Sequence, residues 1–156
     1  MLEEMVGEIL ARRRMTLAVA ESCTGGLLGS RITDVPGSSA YFVGGVLAYS
    51  DAVKKQLLHV PDEMLRLHGA VSEDVALVMA RGARKLLKVD VALGVTGIAG
   101  PARETAKPIG LVFVALSAMD LETCREYRWT GDRLANKRLS ADAALQLLLD
   151  YLTRAP

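Results

Sequence analysis

The sequence is poor in the features that mark membrane, metal-binding and nucleic-acid-binding proteins. No apolar run in its 156 residues approaches the about 20 residues that a membrane-spanning helix needs. The two cysteines, Cys23 and Cys124, lie far apart and two histidines have no clustered partners, so neither a disulfide nor a zinc site is indicated. Aromatic residues make up 4% of the chain, which is few for a surface that stacks nucleic-acid bases.

An excess of charge of one sign is also missing. The chain has 19 basic and 18 acidic residues and a formal net charge of +1, which gives no reason to expect nucleic-acid binding. The basic cluster at residues 12–14 is explained by a solvated helix C-terminus, where cations interact favourably with the helix dipole. The first residues, MLEE, are acidic and do not resemble a signal peptide. We therefore expect a soluble, cytoplasmic protein.

Hydrophobic spacing and turn residues indicate helices that alternate with strands. Strands are predicted at residues 16–20, 41–49, 89–95, 109–118 and 121–129. Helices are predicted over residues 2–10, 25–33 and 51–58, and after Pro61, Ser72 and Asp132. The helix after Ser72 is expected to bury Val75, Val78, Met79, Gly82 and Leu86. This order predicts a single domain over residues 1–156, a three-layer α/β/α sandwich with a mixed sheet.

Residues 20–26, AESCTGG, join a predicted strand to a predicted helix and have the residue types of a nucleophilic site. The Ser22 hydroxyl and the Cys23 thiol are both candidate nucleophiles. Unpaired N–H groups at a helix start are donors for an oxyanion. Gly25 and Gly26 allow a ligand or another backbone to approach closely because they have no Cβ. The residues of this segment alone leave the choice of nucleophile open and supply no base.

Two further glycine-containing loops are candidate ligand sites. Residues 96–101, TGIAGP, follow the predicted central strand, where open α/β sheets bind ligands, although a tight turn without a ligand explains them equally well. Their glycine spacing and Pro101 do not match a dinucleotide-binding loop. Arg133 and Lys137 lie four residues apart on one face of the last helix, which suits an anionic ligand. A helix start with a solvated arginine is the simpler alternative.

Taken together, these segments resemble the C-terminal domain of the CinA family, the nicotinamide-nucleotide amidases that also occur as stand-alone proteins. Six motifs occur in the family's order and spacing across nearly the full chain. They are residues 20–26 (AESCTGG), 48–50 (AYS) followed by Lys54, 68–73 (HGAVSE), 97–101 (GIAGP), 107–110 (KPIG) and 131–133 (GDR). The resemblance is to the amidase-type domain alone and not to the larger nucleotide-hydrolase domain of the family.

The resemblance implies hydrolysis of the carboxamide of nicotinamide mononucleotide, a small pyridine mononucleotide, to nicotinic acid mononucleotide and ammonia. It implies a three-layer α/β/α fold with a mixed, mostly parallel five-stranded sheet. It implies no metal and no cofactor. The serine of AESCTGG is the nucleophile in the family and the lysine after the second strand is its partner, so these roles fall on Ser22 and Lys54. We also expect a homo-oligomer, such as a dimer, with the exposed strand at 121–129 as the candidate edge.

The chemistry of the residues is compatible with these roles. Ser22 needs a base, and a lysine can act as one when its pKa is lowered; we expect the positive end of the dipole of the 51–58 helix to lower the pKa of Lys54. The N–H groups of Cys23, Thr24, Gly25 and Gly26 are the expected oxyanion donors. The other expected substrate-binding residues are Tyr49, Gly97, Gly100, Arg133 and Lys137. The Tyr49 ring either stacks on the pyridine or packs in the protein.

Two departures from the family pattern leave the substrate open. The family continues GIAGP with Asp-Gly-Gly, whereas Ala102, Arg103 and Glu104 follow here, and since non-glycine residues avoid positive φ the loop must take another path. Lys137 replaces an arginine and loses the planar two-pronged grip on phosphate. An amidase for another small carboxamide, or a catalytically silent partner-binding domain linked to competence or DNA damage, are therefore the alternatives.

Overall fold

A computed structural model of the chain describes residues 1–102 and 105–155. In order, their elements are α1 (Leu2–Arg13), β1 (Leu17–Glu21), α2 (Leu27–Thr33), β2 (Phe42–Leu47), α3 (Asp51–Leu58), α4 (Asp62–His68), α5 (Glu73–Leu87), β3 (Val91–Gly97), β4 (Leu111–Ala118), β5 (Glu122–Arg128) and α6 (Arg133–Thr153). A short 3-10 helix, Ser38–Ala40, precedes β2. Every predicted strand is present, and its ends differ by at most two residues from the prediction.

The five strands form one sheet with the order β2-β1-β3-β4-β5. Strand β1 pairs in parallel with both β2 and β3. Strand β4 is antiparallel to both of its neighbours, so it is the only strand of the sheet that runs in the opposite direction. The predicted mixed, mostly parallel five-stranded sheet is therefore confirmed.

Helices cover both faces of this sheet. Helices α1, α2 and α6 pack on one face, where Leu10, Leu28 and Leu148 are fully buried against Leu93 and other strand residues. Helices α3, α4 and α5 cover the other face, with Met79 of α5 at its centre. This arrangement confirms the predicted three-layer sandwich. None of the helices in residues 1–102 and 105–155 is both long enough and apolar enough to cross a membrane.

The predicted buried stripe of α5 is wrong at Leu86, which is 46% exposed. The helix instead buries small residues, including Ala76 and Ala80, because its backbone lies very close to the central strand. A Cβ on Gly94 of β3 would lie 2.6 Å from the carbonyl oxygen of Ala76. Small residues on both elements permit this close approach. The larger Leu86 lies on the side of α5 that faces solvent.

Strand β5 forms one edge of the sheet, as predicted, and it carries charged residues on both of its faces. Its Glu122 pairs with Arg81 of α5, and its Arg125 pairs with Asp150 of α6. Charged side chains of this kind protect an edge strand against unwanted pairing. Self-association through β5 stays a prediction.

Candidate active site

Three strands end at the same edge of the sheet and place the candidate active site there. Strands β1, β2 and β3 are parallel, and their carboxyl ends are followed by residues 22–26, 48–50 and 98–102. These segments, together with residues 70–71 before α5 and Arg133 at the start of α6, line a cavity of about 380 Å³. That volume lies in the range of small-molecule sites, and its position follows the rule for open α/β sheets.

Ser22 and Lys54 are in direct contact inside this cavity. The Lys54 ammonium donates a hydrogen bond to the Ser22 hydroxyl oxygen at 3.0 Å and another to the Tyr49 carbonyl oxygen at 3.1 Å. Lys54 is only 1% exposed and Ser22 only 7%. The two residues are 32 positions apart in the chain, so the fold brings them together where local sequence could not.

The environment of Lys54 favours its neutral form. Burial lowers the pKa of Lys54, and the nearby Asp51 carboxylate opposes this effect by raising the pKa. No ion pair to the Lys54 ammonium is formed by the described residues. The sequence predicts that the dipole of α3 lowers this pKa; in the structure the lowering comes from the loss of water around the ammonium.

Cys23, the other candidate nucleophile, is in a poor environment for a thiolate. Its side chain is buried at the edge of the core formed with α1, α2 and α6. Burial raises the pKa of the Cys23 thiol to about 12, and the Glu21 carboxylate adds to this increase. Because the thiolate is the reactive form of cysteine, this environment favours a packing role for Cys23.

The turn at residues 22–26 offers fewer oxyanion donors than we expected. The N–H groups of Gly25 and Gly26 donate within the turn, to a serine carbonyl oxygen at 3.1 Å and a glutamate carboxylate oxygen at 3.2 Å. The N–H groups of Cys23 and Thr24 make no hydrogen bond to any of the described residues. The candidate oxyanion donors are therefore reduced to these two. Of these two residues only Cys23 lines the cavity, because Thr24 is fully buried and does not reach it.

Glu21, which sequence reasoning missed, holds this turn in place. Its buried carboxylate accepts hydrogen bonds from the N–H groups of Gly26 at 3.2 Å, Leu28 at 2.9 Å and Gly29 at 3.0 Å. The carboxylate thus caps the start of α2 from the end of β1, where a negative charge interacts favourably with the helix dipole. An acidic residue shortly before a helix start was the signal that could have revealed it.

Replacement of Glu21 by alanine is expected to destabilise the fold by about 3 kcal/mol, because buried N–H groups lose their acceptor. The melting temperature should fall by roughly 6–12 °C in a domain of this size. Glu21→Gln keeps one acceptor oxygen, so its melting temperature should lie between those of Glu21→Ala and the wild type. Thermal unfolding monitored by circular dichroism checks this order, and a melting temperature of Glu21→Ala within about 1 °C of the wild type would contradict the capping role.

Arg133 and Tyr49 lie together on the wall of the cavity. The Arg133 guanidinium donates to the Gly100 carbonyl oxygen at 2.6 Å and to the Tyr49 hydroxyl at 3.4 Å. Tyr49 is 66% exposed, so the alternative that its ring packs in the protein is wrong. Lys137 does not line the cavity; its ammonium lies beside Gly25, 3.6 Å from the position that a Cβ would take there.

Gly97 and Gly100 line the cavity, and both are also required by packing. A Cβ on Gly97 would lie 2.5 Å from a methyl carbon of Val112, and a Cβ on Gly100 would lie 2.6 Å from a methyl carbon of Ile109. Gly100 also has a φ of +91°, which disfavours other residues. These contacts explain both glycines without a ligand.

Several polar residues that sequence reasoning missed fix the walls of the cavity. The buried amide nitrogen of Asn136 donates to the carbonyl oxygens of Ala99 at 3.1 Å and Gly131 at 3.0 Å, which ties the 97–101 loop to α6. The Thr96 hydroxyl donates to the Ala70 carbonyl oxygen at 2.8 Å. A polar residue on the buried face of a predicted helix was the available signal for Asn136.

The Lys107 ammonium, in the KPIG motif, holds the segment that precedes α5. It donates to the Val71 carbonyl oxygen at 2.5 Å and to the His68 carbonyl oxygen. Arg103 and Glu104, where we predicted a different loop path, lie outside the described residues. No group of three or more histidine, cysteine or acidic side chains that could hold a metal occurs in the part of the chain that the structure describes.

Comparisons with known proteins agree with the architecture. The model of a family described as the CinA C-terminal domain matches residues 1–152. A CinA-like protein of Syntrophus aciditrophicus is 49% identical over 154 residues, which cover 97% of this chain and 36% of the relative. This chain therefore spans little more than a third of the length of the curated relatives that it matches.

Solved structures are similar over nearly the whole chain. The competence/damage inducible protein CihA of Agrobacterium tumefaciens superposes with a TM-score of 0.92 at 35% identity, covering 98% of this chain and 96% of that one. A CinA superfamily protein of Klebsiella pneumoniae gives a TM-score of 0.93 at 33% identity, covering 97% and 95%. These identities extend the similarity from the fold to the sequence.

Proposed function

Because the chain belongs to the CinA C-terminal domain family, we propose that it is an amidase that hydrolyses the carboxamide of nicotinamide mononucleotide. The products are nicotinic acid mononucleotide and ammonia. The observation that carries this proposal is the 3.0 Å hydrogen bond between Lys54 and Ser22 in a cavity of substrate size. A serine hydroxyl beside a buried lysine with a lowered pKa is the arrangement of an activated nucleophile.

In the first step, neutral Lys54 accepts the proton of the Ser22 hydroxyl while the Ser22 oxygen attacks the carboxamide carbon. A carbon–oxygen bond forms and the carbonyl oxygen takes the negative charge of the tetrahedral intermediate. The N–H group of Cys23, which lines the cavity, is the available donor for this oxyanion, and one such donor contributes about 3 kcal/mol in well-studied hydrolases. The Tyr49 carbonyl, which accepts from the Lys54 nitrogen, orients the base.

In the second step, the Lys54 ammonium returns the proton to the leaving nitrogen, and ammonia departs as the carbon–nitrogen bond breaks. The Ser22 oxygen is then the alcohol part of an ester. Lys54, neutral again, takes a proton from water, which attacks the ester carbon. Release of the Ser22 oxygen with this proton regenerates the hydroxyl and leaves the carboxylic acid product.

The remaining residues suit the rest of a pyridine mononucleotide. The Arg133 guanidinium on the cavity wall has the planar donor geometry that binds phosphate. The exposed Tyr49 ring next to it offers a face for stacking on the pyridine. Lys137, one turn further along α6, lies beside Gly25 and outside the cavity, so its positive charge acts on the phosphate only from a distance.

Ammonia release from nicotinamide mononucleotide, nicotinamide riboside and nicotinamide, measured in parallel, tests the proposed substrate. We expect the kcat/KM of the mononucleotide to exceed that of the riboside by about 10- to 150-fold, since a charge-assisted phosphate contact is worth about 1.5–3 kcal/mol. Arg133→Met should remove most of this preference by raising the KM of the mononucleotide. Hydrolysis of another amide alone would favour a different amidase, and no hydrolysis at all would favour a partner-binding domain.

A further inference from the structure

One acidic residue in the cavity is not used by the mechanism above. Asp51 is the first residue of α3, and its side chain is the only carboxylate that lines the cavity among the described residues. It is exposed, and it forms no ion pair or side-chain hydrogen bond with any other described residue. Ser50 caps the start of α3, so Asp51 is not needed as the cap. An acidic side chain without a structural partner is thus available to a ligand.

The Asp51 carboxylate and the Arg133 guanidinium, which both line the cavity, come from different helices. Asp51 lies on the same helix as Lys54, three residues before it, which places both on neighbouring positions of one helix surface. Asp51 and Lys54 both line the cavity, and the Asp51 carboxylate raises the pKa of Lys54. Arg133 comes from a different element, α6, and is held near Gly100. The cavity therefore presents a negative charge beside the reacting pair and a positive charge on the α6 side.

An oxidised pyridine mononucleotide carries charges that are complementary to those of Asp51 and Arg133. Its ring nitrogen carries a positive charge and its phosphate is negative. The carboxamide is attached directly to the ring, and Ser22, Asp51 and Arg133 all line the same cavity. A substrate with its carboxamide carbon at Ser22 and its ring beside Asp51 can therefore place its phosphate, at the far end of the ribose, near Arg133.

We infer that Asp51 is a specificity-determining residue, which selects substrates with a cationic pyridinium ring over neutral carboxamides of the same shape. This inference rests on the proposed amidase function. The contact is a charge pair in a partly solvated site, so its contribution to discrimination is about tenfold, between that of an exposed pair and that of a buried one. Asp51 acts on the ring and takes no part in proton transfer.

The reduced, dihydropyridine form of the mononucleotide is the discriminating probe. It has the same carboxamide, ribose and phosphate, but its ring is neutral. The experiment measures kcat/KM of the wild type, Asp51→Asn and Asp51→Glu for the oxidised and reduced mononucleotides. The reduced form is also measured as a competitive inhibitor, so its affinity is obtained whether or not it is hydrolysed.

The ratio of the two substrates separates ring recognition from an effect on the base. Loss of the Asp51 charge also removes an influence that raises the pKa of Lys54, but that change affects every amide alike. We expect Asp51→Asn to lower the preference for the oxidised form about tenfold and Asp51→Glu to retain it. Asp62→Asn is the matched control: Asp62 is the first residue of α4 and does not line the cavity, so the preference should not change.

The possible failures are distinguishable. If the wild type hydrolyses neither form, the proposed amidase function fails. If the wild type hydrolyses the oxidised form and Asp51→Asn keeps the same preference, the inference about Asp51 is overturned while the amidase function stands. Thermal unfolding of each variant identifies any loss of folded protein, and Asp51→Glu tests the charge in a side chain that preserves it.

Discussion

Replacement of Ser22 by alanine is expected to reduce ammonia release at least about a thousandfold, because the attacking oxygen is removed while binding and the oxyanion donors remain. The fold should be unaffected: the Ser22 N–H still donates to the Val95 carbonyl, and Lys54 keeps its hydrogen bond to the Tyr49 carbonyl. The measurement is kcat/KM for nicotinamide mononucleotide, with thermal unfolding to show that the variant is folded.

Cys23→Ala is the matched control for this variant, since the two residues are adjacent in one turn. Burial raises the pKa of Cys23 to about 12, so its thiol is not expected to supply the nucleophile. The alanine variant should keep activity within about fivefold of the wild type, with a small loss of stability from the smaller side chain. Activity that survives in Ser22→Ala and disappears in Cys23→Ala would assign the nucleophile to the cysteine.

Replacement of Lys54 by methionine is expected to abolish activity to a similar extent and at the same time to stabilise the protein. Methionine has a similar length and fills the same space, but it does not bring a charge into a position that is 1% exposed. We expect an increase in melting temperature of at least about 2 °C, since about 1 kcal/mol corresponds to 2–4 °C in a domain of this size. Activity and stability would then change in opposite directions.

The pH dependence of this variant follows from the direction of the pKa shift. Burial lowers the pKa of Lys54 in the folded state below its ordinary value of 10.5, so between the two values the unfolded chain binds more protons than the folded one. The cost of burying the ammonium is fully present below the folded pKa and disappears as the pH rises through the unfolded one. The stability advantage of Lys54→Met should therefore shrink at alkaline pH, whereas wild-type activity should rise as Lys54 loses its proton.

Lys55→Met is the control that separates this effect from a general effect of removing a lysine. Lys55 is the next residue, is exposed and pairs with Asp62 on the surface, where such pairs contribute little. This variant should keep its activity and its melting temperature within about 2 °C of the wild type. A Lys54→Met protein that keeps wild-type activity would rule out Lys54 as the base.

Local sequence patterns predicted the helices and strands well, but they did not predict the long-range contacts. The start of α3 and the caps at Ser72 and Asp132 depend on a few neighbouring residues, and all three are confirmed. In contrast, the side chain of Asn136 contacts a carbonyl 37 positions away, and no local pattern specifies that partner. The resemblance to a family suggested that Ser22 and Lys54 act together, and the fold supplied their contact.

The turn at residues 22–26 shows the same difference between what local sequence predicts and what long-range contacts decide. Gly25 and Gly26 both have positive φ and belong to the turn, so α2 begins at Leu27 and not at residue 25 as predicted. The expectation of four free donors was wrong because Gly25 and Gly26 donate elsewhere, Gly26 to the carboxylate of Glu21. A carboxylate that folds back on the following helix depends on the direction in which β1 delivers the chain, and only the three-dimensional structure gives that direction.

The place of β1 between β2 and β3 makes the contact between Ser22 and Lys54 a property of the whole sheet. Leu17 of β1 pairs with Phe42 of β2 on one side and with Val91 of β3 on the other. Forming these two pairings closes a short loop of the chain, from residue 17 to 42, and a long one, from residue 17 to 91. The entropy lost in such closures grows with loop length and is recovered only when the helices pack on both faces. A fragment that ends before Val91 would contain both Ser22 and Lys54 but not the strand that supports them, so their contact depends on the fold and is not an independent motif.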